Sequence, residues 1–110
     1  MSRLLATVVA IVLIGGILIV LSAVAQAANV QRGRAYARSH CARCHAIDEK
    51  SASPLAIAPP FRTLHERYPV ESLAEALAEG IVTGHPAMPE FRLEPEQISD
   101  FIAFLKSLER

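Results

Sequence analysis

Two cysteines separated by two residues and followed at once by a histidine, Cys41-Ala42-Arg43-Cys44-His45, constrain this chain more than any other feature. If the segment opens as one helical turn, the thiols at i and i+3 share a face, with Cβ atoms about 5–6 Å apart. That spacing suits two thioether bonds at one edge of a porphyrin. His45 then stands where its imidazole reaches an iron from the proximal side. A CxxCH behind an export-type N-terminus therefore reads as the attachment site of one covalent haem c, bonded through Cys41 and Cys44 and ligated by His45.

Other readings of these residues are weaker. A thioredoxin-like redox pair expects a neighbouring βαβ pattern, and no alternating apolar strand follows residue 28. A structural zinc site needs four ligands, usually in two close pairs. Beyond the cysteines the chain offers only His40, His45, His65 and His85, at irregular spacing. A disulfide between Cys41 and Cys44 would suit an oxidising compartment but leaves His45 and the Met88 segment without a role.

Residues 1–28 have the composition of a targeting segment. Arg3 supplies a positive start, the 18 residues from Leu4 to Leu21 are nearly all apolar, and Ala25-Gln26-Ala27 offers an A-x-A exit. We expect a signal peptide cleaved before Ala28, with Ala23-Val24-Ala25 as a second site. The run approaches the ~20 residues that span a bilayer, so retention as a membrane anchor is the alternative. Gly15-Gly16 weigh against it. Either way residues 29–110 are expected in the periplasm, free or tethered to the inner membrane. These 82 residues make one domain with a modest core, which needs a staple. A bonded haem would be that staple.

The rest of the chain reads as helices and one long irregular stretch. Asn29 is an acceptable N-cap for a helix over Val30–Cys44, in which Gly33 is explained by close approach of another helix. Prolines at 54, 59, 60 and 69 oppose a long helix between Ile47 and Pro69, leaving room for a short turn over Phe61–Glu66. Leu73, Ala74, Leu77, Ala78 and Ile81 form an amphipathic stripe over Val70–Ile81, ending around Gly80. The last helix has Pro95 at its first position behind Glu94, a poor N-cap. Its stripe of Ile98, Phe101, Ile102, Leu105 and Leu108 is expected to pack on Gly33.

Met88 is the second candidate ligand. It lies between Pro86 and Pro89 in a loop, off any apolar helical stripe, which is poor placement for a core gap-filler. A rigid loop 43 residues beyond His45 can bring a thioether to the opposite face of a haem. His85 reads as a loop histidine near the haem edge, and His40 and His65 read as exposed residues without a catalytic role.

Gly33, the CxxCH, Ala58-Pro59-Pro60-Phe61, His85-Pro86-Ala87-Met88-Pro89 and a last helix with Phe101 and Phe104 together resemble a class I cytochrome c of the small bacterial, exported kind. The resemblance covers residues 29–110. It implies an all-α fold of three to five helices wrapped around one covalently attached haem, six-coordinate through His45 and Met88. It further implies that the Pro59 carbonyl accepts a hydrogen bond from His45 Nδ1, and that Phe61 and Leu64 wall the haem. The family often packs an aromatic between the terminal helices; Tyr36, five residues before Cys41, stands a step off that register, with Phe101 or Phe104 to compensate. Tyr68, Arg62 and Arg92 are candidates for the haem propionates.

The function implied is one-electron transfer between redox proteins, not enzymatic catalysis, because both axial positions are filled. The rival readings are an electron-accepting subunit of a periplasmic dehydrogenase and, with an open iron position, a sensor or peroxidase. Residues 29–67 carry a net charge of +4 and residues 68–110 a net charge of −5. This asymmetry suits transient electrostatic docking to redox partners, although ordinary solvated helix faces account for it equally well. No nucleic-acid partner is expected, and a membrane is expected only if the N-terminal segment is retained.

Overall fold

A computed structural model describes residues 2–13 and 27–110. Residues 2–13 are helical (α1) and their side chains are exposed. The remainder of the apolar run and the cleavage residues 23–26 lie outside the described residues. No helix among the described residues is long and apolar enough to cross a membrane.

The folded part is built from helix α2 (Val30–His40), helix α3 (Leu73–Glu79), helix α4 (Pro95–Ser107) and two 3-10 turns, Phe61–Glu66 and Val70–Ser72. Among the described residues there is no strand, and one isolated antiparallel bridge joins Ile81 to Phe91. This is the expected all-α class.

Helix α2 starts where Asn29 caps it, its side-chain oxygen accepting the Arg32 N–H at 2.9 Å. It buries only Gly33 and Ala37. Both face α4, whose Phe104 and Leu105 are wholly buried. A Cβ at Gly33 would stand 2.6 Å from the Asp100 carbonyl carbon and 2.8 Å from Phe104 Cβ, so only glycine lets these helices touch. The close approach read from Gly33 is therefore present. Tyr36 meets Phe101 edge-on across the same interface, ring centroids 5.8 Å apart.

Four local expectations are corrected. The first helix ends at His40, not Cys44. Beyond it the Ala37 carbonyl accepts from both Cys41 N (2.8 Å) and Ala42 N (2.9 Å), which takes residues 41–44 off the helical path into a separate turn. The stripe over Val70–Ile81 resolves into a 3-10 turn, a seven-residue helix and a bridge residue. Within it Ala78 is exposed, because the short helix presents Leu73, Ala74 and Leu77 to the core instead. Glu94 begins α4 through a capping box, Gln97 Oε1 accepting the Glu94 N–H at 3.0 Å. His65 is half-buried, not exposed, and its Nδ1 is enclosed without a hydrogen-bond partner.

Candidate functional site

The turn after α2 retains the spacing that the cysteines require. Cys44 N and His45 N both donate to the Cys41 carbonyl, at 3.1 and 3.0 Å, so residues 41–45 close as a single turn. The loop that follows folds back over this turn. Leu55 N donates to the Cys44 carbonyl (3.1 Å) and Phe61 N to the Ala46 carbonyl (3.0 Å). Ser53 Oγ accepts from Ala46 N at 3.0 Å. Asp48 accepts from the Ser51 hydroxyl, Ser51 N and Lys50 N, which holds its carboxyl down at about 2. An irregular, proline-rich stretch thus acquires a fixed course.

That course brings Pro59 to His45. The Pro59 carbonyl lies 2.8 Å from His45 Nδ1. A carbonyl can only accept, so Nδ1 is the donor here, which leaves Nε2 as the nitrogen turned away from Pro59 and available as a ligand in the neutral tautomer. Phe61 rests against the same ring, centroids 4.9 Å apart.

Cys41, Cys44, His45, Pro59, Phe61, Leu64 and Met88 all line one cavity of about 250 Å³. Leu73, Leu77, Ile81 and Leu93 complete a mainly apolar wall. Both thiols are free and partly accessible. Burial pushes the Cys41 thiol up to about 11, so it stays protonated at neutral pH. An activated thioredoxin-like thiol is shifted the other way, so this direction does not favour that reading. Met88 enters from the 82–90 loop, where its N–H closes a turn on the His85 carbonyl at 3.0 Å.

Residues of a small helical domain thus converge, from segments distant in sequence, on an apolar slot with two thiols, an imidazole nitrogen and a thioether. Haem c fits this donor set: a flat apolar group, two thiols at CxxCH spacing, and nitrogen and sulfur donors suited to iron. A family model described as cytochrome c matches residues 30–109. The chain belongs to the cytochrome c family. Comparison with curated proteins finds no match, and neither does comparison with solved structures. As a cytochrome c, the protein carries covalent haem c and transfers electrons to redox partners.

Of the three groups considered for the propionates, Tyr68 lines the cavity of this cytochrome. Arg62 and Arg92 do not; they donate to the Ser51 carbonyl (2.7 Å) and the Glu79 carbonyl (2.8 Å). The guanidinium residue on the wall is Arg67, which the sequence reading passed over. It ends a 3-10 turn of no distinctive pattern, and nothing in the sequence marks it. His85 lines the cavity and is exposed. His40 also lines it, through a ring stacked on Tyr36.

Proposed function

We propose that this protein is a class I, one-electron carrier working in the periplasm, with haem c bonded through Cys41 and Cys44 and with His45 and Met88 as axial ligands. The observation that carries this reading is the convergence of all four side chains on one apolar cavity. The pinned tautomer of His45 supports it further. When bound, the haem supplies a single-electron Fe(III)/Fe(II) couple. The chain's own residues set the terms of that couple. Pro59 holds the His45 ring in orientation and raises its basicity as a donor. The Met88 thioether, a soft ligand, favours the reduced state more than a nitrogen ligand does. Phe61 and Leu64, which line the cavity, would keep water from a haem held there, and exclusion of water disfavours the more highly charged ferric state. With His45 and Met88 both engaged, no position is left for a substrate, and the protein exchanges electrons with other redox proteins through brief contacts.

Export is supported by Arg3, the apolar run and the small-residue exit before Ala28. Intact mass of the protein recovered from cells distinguishes a chain starting at Ala28 from one retaining its first 27 residues.

The deciding experiment is the ferric optical spectrum of the haem-loaded protein, with Met88→Ala beside it. The weak long-wavelength sulfur-to-iron charge-transfer band is expected in the wild type and absent from the variant. The reduced wild type should bind carbon monoxide poorly and the variant readily. A wild type that lacks the band and binds carbon monoxide at once has an open iron position, and the carrier reading falls.

A further inference from the structure

Five aromatic contacts run as one chain from the Met88 loop to His45. Phe91 meets His40 edge-on (6.1 Å between centroids), and His40 stacks on Tyr36 (4.2 Å, 13° between planes). Tyr36 meets Phe101 and Phe101 meets Phe61, each at 5.8 Å, and Phe61 rests on His45 at 4.9 Å. Four of these separations lie within the range of about 4.5–7 Å for favourable ring pairs, and the stacked His40–Tyr36 pair at 4.2 Å is closer still. His40 is the link that leaves the helical core. Its Nδ1 lies 3.1 Å from the Tyr36 carbonyl, which fixes the imidazole over the Tyr36 ring. Phe91 in turn closes the 82–90 loop, its carbonyl accepting the Ile81 N–H at 3.0 Å. The loop residues themselves are mostly exposed and its tip has little packing of its own. Its position therefore depends on the closure at Ile81–Phe91, on Leu93 N donating to the Leu77 carbonyl (2.9 Å) just beyond it, and on what holds Phe91, which packs against the core and against His40.

We propose that His40 is a positioning residue for the 82–90 loop: its ring, clamped on Tyr36, braces Phe91 and so holds Met88 in place at the cavity. The consequence for haem chemistry rests on the reading of Met88 as an axial ligand. His40 does not touch the iron in this assignment; it acts through Phe91 and the loop.

The test uses the haem-loaded protein with His40→Ala, His40→Gln and His40→Phe. The first readout is hydrogen exchange of the Ile81 amide, which reports loop closure whether or not Met88 binds iron. The second is the rate at which added imidazole displaces the sulfur-to-iron band. Loss of ring contacts of this kind should speed both by roughly three- to tenfold in His40→Ala and His40→Gln. His40→Phe keeps a ring on Tyr36 but loses the Nδ1 contact with the Tyr36 carbonyl, so its effect should be clearly smaller than that of His40→Ala, by roughly two- to threefold. Unchanged Ile81 exchange in His40→Ala overturns the proposal, and so does equal loss in His40→Phe. If His40→Ala fails to take up haem, Phe91→Leu tests the other half of the contact by the same exchange measurement, and unchanged exchange there overturns the proposal equally. A wild type without the sulfur-to-iron band defeats the Met88 reading alone, while the Ile81 exchange still decides the role of His40.

Discussion

At Gly33 the two terminal helices touch backbone to backbone. Alanine there would gain ~1 kcal/mol of helix propensity, but its Cβ would meet the Asp100 carbonyl, which cannot rotate away. Overpacking of this kind costs about 1–3 kcal/mol, and a backbone obstacle puts it at the upper end. Gly33→Ala is therefore expected to destabilise the holoprotein by about 1–2 kcal/mol net, read from the urea midpoint at constant slope. Asp100, one turn before Phe104, secures the same crossing. It accepts from Asn29 N and from Arg32 Nε, each at 2.6 Å. The Arg32 hydrogen bond, opposed by burial and aided by Asn29 N–H, holds the Asp100 carboxyl below its ordinary 3.8. A folded-state value below the unfolded one means that the stabilisation is present above the unfolded pKa and is lost as pH falls through the folded one. Asp100→Asn should thus be less stable than wild type at pH 5–7, and the two unfolding curves should converge on acidification below about pH 4. Arg32 is mostly solvent-exposed, which keeps the difference modest.

The helices are short, and their ends are set by particular residues. Helix α3 stops at Gly80, whose φ of +105° and ψ of 107° suit no L side chain. That turn delivers Ile81 to Phe91 and closes the Met88 loop. Gly80→Ala is expected to lower stability by about 1–2 kcal/mol through backbone strain, measured by chemical denaturation. A Cβ there would also meet the Glu90 carboxylate, the mobile end of a flexible side chain. Adding Glu90→Ala should leave the loss largely unrelieved, since the strain lies in the backbone. Helix α2 illustrates how far periodicity reaches: propensity favours helix through Cys44, yet the helix ends at His40 because the Ala37 carbonyl takes two donors and turns the chain. Local preference cannot see that the cysteines must leave the helix for the loop 46–61 to fold over them. The capping box at Glu94 was missed, because a Glu N-cap ranks poorly by residue type alone, although Gln97 at the third helical position was the signal for it.

On the scale of the whole molecule, the core and the site are one structure. Phe61, Leu64, Leu77, Leu93 and Phe101 belong both to the buried cluster and to the cavity wall. Without a haem bonded there, these side chains would line a cavity of about 250 Å³ that no side chain fills and would lose part of their apolar contact, in a domain small enough to have only a modest core. Cys41→Ser with Cys44→Ser, which prevents attachment, should therefore abolish the cooperative thermal transition seen by far-UV circular dichroism in the haem-loaded protein. Retention of a sharp transition would show that the helices support themselves. Two ion pairs, Arg32–Asp100 and Arg110–Glu49, join the two halves of the sequence, and the first pairs a base of the basic half with an acid of the acidic half, so a small part of the charge asymmetry serves an internal contact.

The covalent haem c that the family carries was readable from the chain alone, because thiols at i and i+3 with an adjacent imidazole are a local arrangement. The short-range spacing of Cys41, Cys44 and His45 survives whatever the rest of the fold does. The apolar stripe of α4 and the bare face at Gly33 were readable for the same reason, since helical periodicity projects directly onto contact. Other roles were set only by how distant segments meet. Asp100 looks like one of many surface acids until the crossing of α2 and α4 puts it beneath Asn29, although its place four residues before Phe104 hinted at the buried side. His40 and His65 look alike in sequence, yet one becomes a ring braced between Tyr36 and Phe91 and the other encloses an unpartnered nitrogen. Arg67 reaches the cavity while Arg62 and Arg92 turn to backbone carbonyls. Burial and partnership belong to pairs of residues far apart in the chain, and only the tertiary structure decides which pairs exist.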